Sequence, residues 1–385
     1  MTARPFRDIA IVGVAESDLG KVPDKTAIQL AAEASRRALE DAGLRKDDVD
    51  GLFTFGFGRM GAVQFGEYLQ IQPAYSDSTV MGGSTPVAFI EHAAAAMKAG
   101  LCSVALVAYG STQASDTTRR FGGQAEDPRL PGSQYERPFG LPLPLGAYAL
   151  AATRHMAVYG TTSEQLAEIA VATRKWAALN PVAMMREPIT IQDVLGSRLI
   201  ASPLHLLDCC LVTDGGGALV ITTRARGRDT KTRPVVILGT AETHTHQIIS
   251  QMPDLTVTGA ARTGPRAFAM AGLGPADIDA AEIYDSFTIT VLLTLEDLGF
   301  CKKGKGGAFV SGQRTAPGGN FPLNTQGGGL SYCHPGVFGI FTVIEAVRQL
   351  RGECGPRQVK DAEVALCHGT GGVLSSAGTA ILGIG

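Results

Sequence analysis

"DAGLRKDDVDGLFTFG" (residues 41–56) and "MAGLGPADIDAAEIYD" (residues 270–285) share one pattern: Ala-Gly-Leu, three variable residues, Asp-(Val/Ile)-Asp, then an apolar strand. Ala42 of the first matches Ala271 of the second, 229 positions on. Each copy follows a strand, "DIAIVGVAES" (8–17) or "RPVVILGTAET" (233–243), and then a helix, 26–43 or 259–272. Both helices end in Ala-Gly, a stop signal because glycine takes the left-handed conformation without a Cβ clash. The correspondence continues through 85–111 and 336–372, where a helix and a Gly stop lead into "SVALVAYG" (103–110) and "EVALCHG" (363–369). The loops "MGGSTP" (81–86) and "SYCHPG" (331–336) therefore occupy equivalent places, each feeding a helix N-terminus.

Two βαβαβ units in one chain predict an α/β fold of two similar mixed sheets packed together, with helices between and outside them. The first half is expected over 1–225, with an insertion over about 112–205, and the second over 233–385. The charged stretch "RARGRDTKTR" (224–233) marks the break. Residues 111–144 are rich in Pro and Gly and polar, a long excursion expected to shape a substrate pocket.

Composition narrows the functional classes. Of 385 residues, 45% are apolar and 18% charged, as in a well-packed globular protein. The formal charge is −2, so no basic face for nucleic acid is implied. The apolar run near residues 9–15 is broken by Gly13 and reads as a buried strand rather than a signal peptide. No uncharged apolar run reaches the length of a membrane span. Seven scattered cysteines without a CxxC pair read as reduced thiols in a cytoplasmic protein, with no zinc site.

The duplication, "CHPG" (333–336), "CHGTGG" (367–372), "YDSF" (284–287) and "TDGGGALV" (213–220), taken in order, resemble the thiolase superfamily. Within it they most resemble the branch near the thiolase part of sterol carrier proteins, over nearly the whole chain. The resemblance implies a duplicated thiolase fold layered αβαβα, and an enzyme acting on coenzyme A thioesters with no covalently bound cofactor. It also implies a homodimer and a possible small partner subunit of OB-fold and zinc-ribbon type.

Two departures stand out. Family members carry a nucleophilic Cys at the tip of the first-half helix; counting back without gaps from Gly100 brings that position to Gly83, beside Ser84. The first cysteine of the chain is Cys102. Tyr284 stands where the family box has Asn or His. The resemblance assigns His334 and the Gly369 N–H as donors to the thioester oxygen, with Gly83 joining the oxyanion hole, and Cys367 as the proton shuttle at the α-carbon. It implies that Ser84 and Asp285 bind substrate.

Tyrosines at 284 and 332 resemble the nucleophile-less relatives that cleave steroid side chains by a retro-aldol reaction. There Tyr284, its phenol lowered by nearby donors, would take the proton of a β-hydroxyl, with Tyr332 assisting. An acyltransferase using Ser84 or another replacement nucleophile remains a second reading, although such a serine needs an adjacent base. A non-catalytic acyl-CoA-binding subunit is a third. The side chains also have plain structural readings. His334 can cap a loop, Cys367 can be a buried small hydrophobe, Tyr284 a core aromatic, and Cys209–Cys210 simple packing. "GFGRMG" (56–61), with Asp77 beyond it, fits a dinucleotide fingerprint, but its strand is the third element of its unit rather than the first. His244 and His246 read as a solvated edge.

Overall fold

The computed structural model describes residues 5–117, 127–141 and 143–384. In the first half β1 (Ile9–Glu16), α1 (Ala27–Ala42), β2 (Gly51–Thr54), α2 (Gly61–Leu69), β3 (Tyr75–Asp77), α3 (Thr85–Lys98) and β4 (Val104–Thr112) follow one another. The chain then leaves the sheet for α4 (Pro131–Tyr135), α5 (Leu145–Tyr159), α6 (Ser163–Ala178), α7 (Ile191–Gly196) and a hairpin of β5 (Leu199–Ala201) and β6 (Leu204–His205). Of the expected excursion, residues 118–126 and 142 lie outside the described residues. The chain returns as β7 (Asp214–Thr223), then α8 (Arg224–Gly227). The second half contains β8 (Val235–His244), α9 (Ala260–Ala271), β9 (Ala280–Ile283), α10 (Thr288–Asp297), α11 (Gly306–Val310), α12 (Gly339–Arg351), β10 (Val364–Gly371) and β11 (Ser376–Ile384).

The strand order is β3-β2-β4-β7-β1-β8-β11-β10-β9, so β2-β4-β7-β1 is mirrored by β9-β10-β11-β8. The two similar mixed sheets expected from the sequence are packed together, with helices between and outside them. They are in addition hydrogen-bonded edge to edge, through the short pairing of Ala10 with Val236 and Ile11 with Val235.

Local chemistry explains the repeated elements. Thr26 and Gln29 cap α1 reciprocally, and Gly43 stops it at φ 72°. Gly272 stops α9 at φ 69°. A Cβ on Gly13 would stand 2.1 Å from the Ala38 carbonyl, and one on Gly239 would stand 2.2 Å from that of Ala267. Each outer helix thus lies directly on its half-sheet because a glycine lets it. The central helices α3 and α12 contribute to one core with strands of both halves, so α12 is buried almost all round. Helices α1 and α9 cover the outer faces, in separate cores. This is the expected αβαβα layering.

Candidate active site

The N-termini of the two central helices touch. A Cβ on Gly339, which opens α12, would be 2.3 Å from the Gly83 carbonyl oxygen. Beside this junction lies a cavity of about 240 Å³ whose walls include Tyr284, His334, Cys210, Tyr148, Ser286 and Gln113.

Tyr284 leaves the end of β9, its N–H donating to the His368 carbonyl at 2.9 Å. Its phenol lies 2.7 Å from His334 Nε2 and 3.4 Å from the Gly336 carbonyl. With the ring proton on Nδ1 the phenol donates to Nε2; with it on Nε2 the imidazole donates to the phenol oxygen and the phenol donates to the Gly336 carbonyl. The His334 ring stacks on Phe338 at 17°, with centroids 6.4 Å apart.

Burial pushes the Tyr284 phenol well above its usual value, and neighbouring acidic groups, Cys210 and Tyr148 first among them, push the same way. The expectation of a lowered phenol is overturned. A phenolate here would lose its hydration, and that loss favours the neutral form.

The turn carrying His334 is anchored from several sides. Its N–H donates to Thr213 Oγ1 at 3.0 Å, its carbonyl accepts from Thr213 N–H, and Tyr109 donates to the Pro335 carbonyl at 2.7 Å. Upstream, residues 328–332 form one wide turn in which the Ser331 and Tyr332 N–H groups both donate to the Gly327 carbonyl. Asp285 holds this turn, accepting from Gly329 N–H at 2.5 Å and Leu330 N–H at 3.2 Å. The carboxyl is fully buried and, despite these donors, burial raises it to about 7. Asp285 thus holds the turn before His334 and does not line the cavity, where a substrate ligand was expected.

Three other expectations are corrected. The Tyr332 hydroxyl points away from the cavity and donates to Glu16 Oε1 at 3.0 Å. Glu16 is in turn clamped by Arg348 at 2.7 and 2.5 Å. Cys367 is completely buried under α12, with Sγ 3.6 Å from the Thr342 carbonyl. Burial and the facing Glu282 push its thiol up, the reverse of the lowered thiol expected of a proton shuttle. Ser84 is also sealed: its hydroxyl donates to the Met81 carbonyl at 3.0 Å and meets Ser376 Oγ at 2.8 Å. It does not present a nucleophile to the cavity.

No side chain fits at Gly83. A Cβ there would lie 2.1 Å from Tyr284 Cε1 and 2.4 Å from the Thr370 carbonyl oxygen. The tyrosine ring occupies the space into which a side chain at 83 would project, so the two departures read in the sequence are one structural fact. Gly369 packs beneath the same tip, its Cβ position 2.9 Å from Ser84 Cα. The glycines on the cavity wall are instead Gly336 and Gly372.

Sequence reasoning missed Cys210, read as packing, and also Tyr148 and Gln113. Cys210 is fixed by its N–H bond to the Ser286 carbonyl at 3.0 Å. The signal that could have found it was its place, just before "TDGGG" and against the "YDSF" box. Of the decoys, Asp77 is bound to His92 at 2.6 Å rather than open to a ribose. His246 is bound to the Val373 carbonyl at 2.9 Å. Among the described residues no group of three or more His, Cys, Asp or Glu could hold a metal ion.

The thiolase C-terminal domain-like family model matches residues 241–384. The chain is 37% identical to the 17-hydroxy-3-oxo-4-pregnene-20-carboxyl-CoA lyase of Mycobacterium tuberculosis, over 89% of this chain and 91% of that one. It is 34% identical to an acetyl-CoA acetyltransferase of Methanothermobacter thermautotrophicus, over 95% and 97%. Among solved structures, the Ltp2–ChsH2(DUF35) aldolase superposes with a TM-score of 0.91 at 33% identity, covering 99% of both chains.

The chain belongs to the thiolase superfamily, in its branch resembling sterol carrier protein thiolases. It is an enzyme of that superfamily, and its named relatives include both lyases and acyltransferases.

Proposed function

We propose that this enzyme cleaves the Cα–Cβ bond of a β-hydroxyacyl-CoA by a retro-aldol reaction, with no acyl-cysteine. The observation that carries the reading is the Tyr284–His334 pair, 2.7 Å apart, in a cavity where the Tyr284 ring fills the nucleophile's space. The β-hydroxyl gives its proton to the Tyr284 oxygen as the phenol's own proton passes to His334 Nε2. The Cα–Cβ electron pair moves into the thioester as an enolate, and the Cβ–O bond becomes a carbonyl. A relay of this kind never needs a free phenolate, so the raised phenol suits it. Gln113, the side-chain amide on the cavity wall, is assigned to the thioester oxygen. The lyase and aldolase names of two relatives support this choice over acyl transfer.

The same proposal includes a homodimer in the cytoplasm and two units, 1–225 and 233–385. A small partner subunit is supported by the solved aldolase relative, whose name couples Ltp2 with ChsH2(DUF35). No helix among the described residues is long and apolar enough to cross a membrane.

Mass spectrometry of a panel of β-hydroxyacyl-CoA thioesters incubated with the enzyme should show a shortened acyl-CoA and a carbonyl product. Tyr284→Phe keeps the ring against Gly83 but removes the relay, and should lower kcat by about 10²–10⁴-fold. A covalent acyl adduct on the protein, or full turnover by the Phe variant, would overturn the proposal.

A further inference from the structure

Retro-aldol cleavage leaves an enolate whose α-carbon must gain a proton, and the residue expected to supply it, Cys367, is closed off beneath α12. Within the cavity the protonated side chains beyond the Tyr284–His334 pair include Tyr148, Ser286 and Cys210. Tyr148 donates to the Gly372 carbonyl at 3.3 Å, and burial raises it to about 12. The Ser286 hydroxyl is bonded to Thr290 Oγ1 at 2.9 Å.

We propose that Cys210 is the catalytic acid that protonates the α-carbon of the enolate, taking the place that a buried Cys367 cannot. The inference rests on the retro-aldol reading and extends it. Its geometry is set by two backbone contacts. Cys210 N–H donates to the Ser286 carbonyl at 3.0 Å, and Leu211 N–H donates to the Gly329 carbonyl at 2.8 Å. These tie residues 210–211 to the "YDSF" box on one side and to the turn before His334 on the other. Cys210 shares the cavity wall with Tyr284, Tyr148 and His334.

The step balances. The S–H bond breaks, a C–H bond forms at Cα, and the acyl-CoA leaves a thiolate. That thiolate regains a proton from the His334 imidazolium through Tyr284, so the proton lost by the β-hydroxyl restores the pair and the thiol. No oxidant or reductant is needed. A thiol is a far stronger acid than the α-carbon of a thioester, so transfer to the enolate runs downhill, and an imidazolium is a stronger acid than a thiol, so the thiolate is recharged.

The test uses propionyl-CoA in D₂O, which needs no aldol cleavage, with α-deuterium followed by mass spectrometry. The wild-type enzyme should exchange its α-hydrogens, and Cys210→Ala should exchange them at least tenfold more slowly. Since a substitution can disturb the wall, reversible methylthiolation of Cys210 in the wild-type enzyme, mapped by peptide analysis, supplies the second measurement. Exchange should stop and return on adding dithiothreitol. Exchange by Cys210→Ala at the wild-type rate, or a propionyl adduct on Cys210, would overturn the inference. Cleavage of β-hydroxyacyl-CoA is scored separately, so intact cleavage with unaltered exchange in Cys210→Ala sinks this role while leaving the retro-aldol reading standing.

Discussion

Gly83→Ala places a methyl group 2.1 Å from Tyr284 Cε1 and 2.4 Å from the Thr370 carbonyl oxygen. Ordinary carbon contacts begin near 3.5 Å, so the ring edge must retreat by about 1.4 Å. Such a movement breaks the 2.7 Å contact with His334 Nε2. Retreat alone is insufficient, because Thr370 belongs to the β10 backbone, paired with Ala377 of β11. Overpacking of this kind costs about 1–3 kcal/mol.

Tyr284→Ala removes one of the two obstacles. In that background Gly83→Ala should cost less, with a coupling on the order of 0.5–3 kcal/mol, the remainder reflecting the Thr370 carbonyl. Urea melts followed by fluorescence of Trp176, the single tryptophan and a buried one, read the four corners of the cycle. Turnover of the single variant should fall by the same order as that of Tyr284→Phe. By the same reasoning, Gly83→Cys should yield an unstable protein rather than a thiolase. Strict additivity, or a Gly83→Ala enzyme with wild-type stability and turnover, would refute the claim that the ring fills the nucleophile's space.

Ser84→Ala should leave kcat within about twofold while costing on the order of 1 kcal/mol of stability, since its hydroxyl serves Met81 and Ser376. Loss of turnover in a folded variant would restore it as a nucleophile. Glu16→Gln should flatten the acid limb of stability. Burial alone raises the Glu16 carboxyl, but the charge and hydrogen bonds of Arg348, with the Tyr332 phenol, outweigh it and leave it below its ordinary value. That contribution is present above the unfolded value near 4.5 and is lost as pH falls through the depressed folded value. Melting temperatures of the two proteins should therefore differ at neutral pH and converge in acid; a gap independent of pH argues against the ion pair.

The order strand, helix, Ala-Gly stop and Asp-rich turn is local chemistry written twice, so the duplicated fold was legible without coordinates. So was the meeting of the two central helix tips that "MGGSTP" and "SYCHPG" lead into, seen in the approach of Gly339 to the Gly83 carbonyl, because equivalent helices in a duplicated unit face one another. Tyr284 and His334 were readable as site residues one at a time. Their direct hydrogen bond was not, since it spans 50 positions of chain and depends on how a strand end meets a helix tip.

The residue pattern by itself determined the repeat, the layering, and the absence of a cysteine at the tip of the first central helix. Tertiary structure alone decided where each side chain points. Cys367 turns under α12, Tyr332 turns to Glu16, and Cys210 lines the cavity. It also decided the sign of each acid's shift, because desolvation depends on what surrounds a group in space, and neighbours along the chain do not report that.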